Sequence, residues 1–206
     1  MPVHKPYADD AANAIYNLLF ADTPDLFDKP DAPYPALFAS PLDQSAVARL
    51  AEDASIDARW RLLAFNRLRA EGRDVPSGEL LGVIAEVALD EGLDTLAAYA
   101  DGGVRYLNQA GGMVVIESEV AAVERPRRAL FDAARDLVGH IGPWIGPRLA
   151  PPGVRRVRLS FLMADGLYFG EADMAAMAGD PMGAAVFNAA VALMSAVVDF
   201  AARPAP

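Results

Sequence analysis

Two tyrosines and an asparagine flank an Asp-Gly pair, and their types and spacing could bind a ligand. The pair Asp101-Gly102 favours a two-residue hairpin turn, because both central positions of that turn need a positive φ. With such a turn, Tyr99, Tyr106 and Asn108 share one face of the sheet and Arg105 points to the other. Two phenol rings and an amide on one sheet face are typical of a site for a peptide or a planar ligand.

The same residues also have a purely structural interpretation. Strand tyrosines pack under a helix while their hydroxyls reach the polar edge of the sheet. A turn of three residues instead of two would place Arg105 opposite Tyr99 and change which side chains share a face. We therefore treat Tyr99, Arg105, Tyr106 and Asn108 as a candidate binding face whose geometry depends on the turn.

A second candidate is a group of arginines late in the chain. Arg156 and Arg158 alternate on one face of a predicted strand, with Arg155 and Arg148 close in sequence. Guanidinium groups arranged in this way could hold an anion or an acidic partner, because each can donate paired hydrogen bonds. The alternative is that they pair across the sheet with the acidic residues of segment 74–94.

Most catalytic and metal-binding chemistry is excluded by composition and by missing motifs. The chain has no cysteine, so disulfides, thiolate metal sites and a cysteine nucleophile are ruled out. Its two histidines, His4 and His140, are too few for a multi-histidine metal centre. The sequence contains no phosphate-binding loop, no dinucleotide fingerprint and no nucleophile elbow. We expect no metal and no cofactor, and the sequence favours a protein that is not an enzyme.

The distribution of charge argues against nucleic acid as a partner. The 206 residues include 28 acids and 18 Lys and Arg residues, which gives a formal net charge of −10. A chain this acidic repels nucleic acid and anionic membranes unless its basic residues are concentrated. Arginines are enriched in residues 59–73, with five against one acid, and in residues 125–158, with eight against two. We expect them to pair with acidic segments inside the fold; an anion or acidic-partner site is the alternative.

One segment is apolar enough to be compared with a membrane span. Residues 182–202 contain a single charge, Asp199, and Asn188, Ser195 and Asp199 fall on one face of a helix. This pattern favours a helix that is buried over most of its surface and wetted along one narrow stripe. The first ten residues lack the apolar region of a secretory signal, and the composition suits a high-GC bacterial genome. We expect a cytoplasmic bacterial protein without a membrane anchor.

The hydrophobic period changes along the chain from helical to strand spacing. Helical spacing predicts helices at 7–20, 42–53 and 56–71. Between the first two lies a proline-rich loop at 21–41, which we expect to wrap a surface or to serve as a docking arm. Alternation predicts strands at 79–89, 93–100, 104–109, 113–117, 154–163 and 167–170. Further helices are predicted at 126–141, where Pro126 fits the first turn, at 173–178 and at 183–202.

These elements predict an α+β fold with an antiparallel sheet of about six strands. The strands form a four-strand meander, then a helix, then a two-strand hairpin, because turns this short cannot make parallel crossovers. We expect helices on one side of the sheet, an N-terminal helical segment at 1–75 and an α+β domain at 76–206. In element order and acidic charge the chain resembles the small acidic chaperones of secreted effectors, which also set helices against an antiparallel sheet. That resemblance implies a chaperone-like function.

The favoured function is a protein–protein interaction module, either homodimeric or bound to another protein. The mean hydropathy is +0.18, and we expect the C-terminal helix to carry more apolar surface than one sheet can cover. The first alternative is a small-ligand-binding protein or an enzyme that uses the face with Tyr99 and Tyr106. The second alternative is an acidic chaperone-like protein.

Overall fold

Six antiparallel strands form the centre of the structure, a computed structural model that describes residues 3–117 and 120–203. The strands lie in the order β4-β3-β2-β1-β5-β6, so β1 has a paired neighbour on each side. Their bounds are Leu80–Leu89 (β1), Gly92–Tyr99 (β2), Val104–Leu107 (β3), Met113–Ile116 (β4), Arg156–Met163 (β5) and Gly166–Asp173 (β6). The predicted α+β fold, with a four-strand meander followed by a hairpin, is confirmed.

Helices account for most of the remaining chain in the described ranges. Their bounds are Asp10–Leu19 (α1), Pro24–Phe27 (α2), Gln44–Glu52 (α3), Ala58–Ala70 (α4), Ala121–Val138 (α5), Met174–Gly179 (α6) and Gly183–Ala201 (α7), with a 3-10 turn at Pro35–Leu37. The order of helices and strands is close to the predicted one, and the differences lie mainly at the ends of elements.

Helices cover both faces of the sheet, which corrects the expectation of helices on one side. Side chains along β1 alternate, and both sets are apolar: Ile84 and Ala88 belong to one hydrophobic cluster, Val83 and Val87 to the other. A strand that is apolar on both sides must be covered on both sides. The helices of segment 1–75 share the first cluster with the sheet, whereas α5 and α7 share the second.

The N-terminal helices begin at aspartates that cap them. Asp9, Asp43 and Asp57 each accept a hydrogen bond from a backbone N–H of the helix that follows. These carboxylates satisfy donors that the first turn of a helix leaves free, and they add negative charge at its positive end. The capping aspartates therefore fix where the helices of this layer start.

The proline-rich loop at 21–41 wraps the N-terminal helical layer. The rings of Phe27, Tyr34 and Phe38 meet the indole of Trp60 edge to face, with centroid distances of 5.1, 5.5 and 6.5 Å. Edge-to-face contacts of this kind stabilise aromatic clusters beyond the burial of their area. Of the two predicted roles for this loop, the described contacts support wrapping.

The helix α5 carries the chain from the edge strand β4 to β5 on the far side of β1. It begins at Ala121, so Pro126 lies inside the helix and the prediction of Pro126 in the first turn is wrong. Because proline has no N–H, the helix loses the hydrogen bond that residue 126 would donate to Ala122, and the proline ring crowds the carbonyl group of the same residue. Its apolar face, with Leu130 and Phe131, packs in the second cluster, and this packing holds the helix together around the proline.

Candidate functional site

The β2–β3 hairpin turn has three residues, 100–102, rather than two. In the observed pairing, Tyr99 and Arg105 point to one face of the sheet and Tyr106 points to the other. The prediction that Tyr99, Tyr106 and Asn108 share a face is therefore wrong. The additional turn residue shifts the pairing by one position, and such a shift exchanges the faces of all side chains on one strand.

Tyr99 anchors the N-terminal helices to the sheet. Its side chain is fully buried, and its hydroxyl donates a hydrogen bond to the carbonyl oxygen of Leu19 at 2.7 Å. The guanidinium groups of Arg59 and Arg105 lie 5.9 and 5.4 Å from its ring centroid, within cation–π distance. Burial raises the pKa of Tyr99 far above its usual range. The ring is thus enclosed by the protein itself and offers no surface to a ligand.

Arg105 lies in a group of paired charged residues at the end of the β2–β3 hairpin. It is opposite Ala97 in the sheet, and its Nη2 donates to Glu117 Oε1 at 2.8 Å. With Asp57 and Asp101 it lines a polar hollow of about 300 Å³. Asp57 is bound by an arginine of α4, and Asp101 accepts two backbone hydrogen bonds. These charges already have partners, so the hollow joins the helical layer to the hairpin.

Tyr106 and Asn108 hold local structure on and beside β3. The Tyr106 hydroxyl donates to Asp94 Oδ2 at 2.9 Å, and burial followed by the hydrogen bond and charge of Asp94 raises the pKa of Tyr106. Asn108 Oδ1 accepts hydrogen bonds from the N–H groups of Ala110 and Gly112 at 3.0 and 2.8 Å, which closes the β3–β4 turn. The structure does not bring these two side chains together with Tyr99.

Arg156 and Arg158 share a strand face as predicted, and both bind Glu171 of the neighbouring strand β6. The Nε atoms of the two arginines lie 2.6 and 2.9 Å from the Glu171 carboxylate. Arg158 is buried, and its Nη1 donates to the carbonyl oxygen of Ala150 at 2.7 Å. Although burial raises the pKa of Glu171, the hydrogen bonds from Arg158 and Arg156 hold it below its usual range. Both guanidinium groups are thus committed to an internal carboxylate.

Glu86 is the centre of a buried polar cluster that is absent from the sequence-based predictions. Its side chain is 0% exposed, and the Tyr16 hydroxyl donates to its Oε1 at 2.6 Å. The second oxygen, Oε2, lies 3.7 Å from Arg158 Nη1 and has no hydrogen-bond partner in the described residues. Burial raises the pKa of Glu86. A carboxyl group with a raised pKa can act as a general acid, but enclosure on all sides keeps a substrate from reaching this one.

The signal for this cluster was present in the first helix. The helical pattern of residues 7–20 was assigned an apolar stripe, yet Asn13, Tyr16 and Asn17 of α1 are buried, at the i, i+3, i+4 spacing of one helix face. Polar side chains in such a row need polar partners when they are buried, and Glu86 on β1 is one. Alternation along β1 alone cannot show that a second helical layer covers the face that carries Glu86.

The helix α7 presents a largely exposed apolar surface. The helix α7 is long and apolar enough to cross a membrane, since an 18-residue window of it has a mean hydropathy of 1.8. Only 28% of that window is buried. Apart from the last residue, Ala201, the exposed side chains run along one face and are Ala185, Asn188, Val191, Ala192, Ser195, Val198 and Asp199. The predicted wet stripe is confirmed, but the expected burial over most of the helix surface is wrong. The helix lies at the outside of its layer, with α5 and α6 as its main helical neighbours.

Neither a metal site nor a similar protein indicates what these residues do. Among residues 3–117 and 120–203, no group of three or more His, Asp or Glu residues is placed to hold a metal ion. No family model, no curated protein and no solved structure matches the chain. Function is therefore inferred from the geometry of the described residues.

Proposed function

We propose that this protein is a non-enzymatic protein-interaction module that works as a homodimer, paired through the exposed face of α7. The proposal rests on the contrast between the hydropathy of α7, 1.8 on average, and its burial, 28% of the same window. A helix this apolar is normally covered, since an exposed apolar patch of this extent marks an interaction site.

The shape of the α7 face suits close packing against another helix. Ala185, Ala192 and Ser195 have small side chains, so a second helix can approach to the short end of the usual 8–10 Å interaxial distance. Val191 and Val198 are 42% and 46% exposed and provide the larger apolar contacts beside this row. A face of small residues flanked by valines is complementary to a copy of itself.

Charge favours a second copy in antiparallel orientation. Asp199, near the C-terminal end of α7, is the single charge on the exposed face. In an antiparallel pair each Asp199 lies beside the N-terminal end of the partner helix, where the helix dipole is positive. A parallel pair would instead bring two carboxylates together. On the neighbouring helix α5, Arg128, Asp132 and Arg135 are exposed and would form the charged rim that protein interfaces typically have.

A membrane is a poorer occupant of the same face. Three polar residues interrupt the apolar face at intervals of about two turns or less, namely Asn188, Ser195 and Asp199. A carboxylate at the centre of a bilayer costs on the order of 3 kcal/mol. At a protein interface the same three groups can stay partly hydrated or find partners. The face therefore fits protein better than lipid.

The test is the molar mass of the protein in solution, measured by light scattering after size exclusion at tens of micromolar. We expect about twice the chain mass of 21.9 kDa. The double variant Val191→Glu, Val198→Glu should be monomeric and still unfold cooperatively, because both side chains point away from the core, and its melting temperature should no longer depend on protein concentration. The control is Val154→Glu, at a valine that is 61% exposed elsewhere, and it should remain dimeric.

Three outcomes contradict this proposal. One is a wild-type mass near that of a single chain, and another is loss of the dimer in the Val154→Glu control. The third is co-sedimentation of wild-type protein with phosphatidylcholine vesicles that the double variant loses, which would assign the face to lipid.

A further inference from the structure

A cavity lies beneath the loop that joins α5 to β5, on the sheet face opposite α7. It has a volume of about 90 Å³, well above the roughly 10–15 Å³ that one ordered water requires. Its walls come from α4, from the chain after α1, from the β5–β6 hairpin and from the loop itself, and they include Asn66, Arg69, Trp144, Arg148 and Leu162. We call it the loop cavity.

Arg69 brings a positive charge to the loop cavity. Its guanidinium donates only to neutral acceptors, the carbonyl oxygen of Asp165 at 2.9 Å and the Asn66 Oδ1. No carboxylate within the described residues forms an ion pair with it, and its buried Nε has no hydrogen-bond partner there. Burial lowers the pKa of Arg69, and the charge of the Asp165 carboxylate, which lies beyond ion-pair distance, offsets only part of that effect.

Arg148 brings a second guanidinium to the same cavity. Its side chain is 2% exposed and its Nε lies 2.7 Å from Asp22 Oδ2. Its Nη2 donates to Asn17 Oδ1 at 2.8 Å, and the group stacks over Phe20 at 4.1 Å. The third nitrogen, Nη1, is buried without a hydrogen-bond partner in the described residues. A nine-tenths buried charged side chain with a free donor is costly unless a further acceptor is bound.

The charges around the loop cavity fit one negative charge. Arg69 and Arg148 contribute two positive charges to its lining, and Asp22 contributes one negative charge. The two arginines come from the separate arginine-rich segments 59–73 and 125–158, which thus converge here. A monoanion balances the lining, whereas a dianion would be repelled by Asp22.

The rest of the lining is apolar. Trp144 presents its ring, because its Nε1 already donates to the carbonyl oxygen of Pro147 at 2.9 Å, and its ring packs on Phe169 at 5.3 Å. Leu162 is 4% exposed and adds an aliphatic wall. We propose that the loop cavity binds a small organic carboxylate, with Arg69 and Arg148 holding the carboxylate and with Trp144 and Leu162 enclosing its apolar body.

The experiment is titration of the full chain with acetate and with propionate, measured by calorimetry and by tryptophan fluorescence, in which Trp144 changes and Trp60 gives a constant background. We expect one site per chain and a dissociation constant below about 1 mM for at least one acid. Propionamide has nearly the same size as propionate but no charge, so it should bind at least about tenfold more weakly.

A pair of arginine variants separates the site from general electrostatics. Arg69→Gln should weaken carboxylate binding by about tenfold or more, because it removes one of the two guanidinium groups that line the cavity. Arg73→Gln removes the same charge from an exposed residue nearby and should change binding by less than about twofold, since solvent screens it. Melting curves of both variants confirm that they are folded.

Several results would overturn the proposal. They are the failure of both acids to bind at about 10 mM, equal affinity for propionamide and propionate, equal weakening by the two variants, and tighter binding of phosphate than of propionate. The outcome is independent of the dimer test, because the loop cavity and α7 lie on opposite faces of the sheet.

Discussion

Replacing Tyr16 with phenylalanine removes one hydroxyl from the buried cluster around Glu86 and leaves the ring in place. In the native structure this hydroxyl donates to Glu86 Oε1 at 2.6 Å, while Oε2 has only Arg158 Nη1 at 3.7 Å. The variant therefore buries a carboxyl group without a described hydrogen bond to either oxygen. A hydrogen bond to a charged group contributes about 1.5–3 kcal/mol to stability, against about 1 kcal/mol for a bond between neutral groups.

The pH determines which of these values applies. Burial raises the pKa of Glu86 above its usual 4.5, so the carboxyl stays protonated to higher pH in the folded protein than in the unfolded chain. The resulting stabilisation is present below the unfolded pKa and is lost as the pH rises through the folded pKa. The Tyr16 hydroxyl favours the ionised form, so its removal raises the folded pKa further and costs more at high pH. We expect Tyr16→Phe to lower the free energy of unfolding by about 1 kcal/mol near pH 5 and by about 2–3 kcal/mol near pH 9.

Urea unfolding followed by circular dichroism measures these differences. The control is Tyr99→Phe, which removes an equally buried hydroxyl whose acceptor, the Leu19 carbonyl oxygen, is neutral; it should cost about 1 kcal/mol at both pH values. In thermal melts the larger loss for Tyr16→Phe corresponds to about 4–12 °C for a chain of this size. Equal losses for the two variants near pH 9 would refute the assignment of an ionised, hydrogen-bonded Glu86.

Two further predictions concern the β2–β3 turn and the N-terminal histidine. Gly102 has a φ of 100° with open space around it, so Gly102→Val should destabilise the fold by about 1–3 kcal/mol through backbone strain alone. The control Gly170→Val, at a strand position with equal space and no positive φ, should not destabilise the fold in this way. A melting temperature within about a degree of wild type for Gly102→Val would contradict this account of the turn. Burial and the charge of Arg148 lower the pKa of His4 below 6.5, so the stability that neutral His4 provides is present above pH 6.5 and is lost as the pH falls below it. Between about pH 7.5 and pH 5.5 the melting temperature should fall further for the wild type than for His4→Gln. An equal fall in both proteins would count against this role of His4 in stability.

The sheet was predictable because its signals are local. Alternation along residues 79–89 and the short turns between strands identify antiparallel pairing, and the strand bounds differ from prediction by a few residues. The Asp101-Gly102 pair correctly marked the hairpin, and Gly102 does take a positive φ. The turn length was not predictable, because the Asp101 side chain accepts a hydrogen bond from the Gly103 N–H and so favours a turn of three residues.

The candidate sites were less predictable because they depend on what packs over the sheet. Tyr99 lies beneath α1 and two arginines, and Glu86 lies beneath the same layer; neither contact leaves a periodic signal in β1 or β2. The partner of Arg158, Glu171, comes from β6, since the hairpin pairs those two residues. The loop cavity joins Arg69 and Arg148 from distant segments, so only the arginine enrichment of each segment was visible in the sequence.

The position of β1 in the sheet has a consequence for biosynthesis. One edge of β1 is filled by β2, which follows it immediately, but the other edge waits for β5, beginning at Arg156. A nascent chain that has emerged only as far as α5 thus exposes an unpaired strand edge that is apolar on both faces, which is a template for intermolecular pairing. Any truncation before Met163 leaves that edge open permanently. Synthesis through β5 is therefore required before both edges of β1 can be paired, and deletions that remove β5 should aggregate.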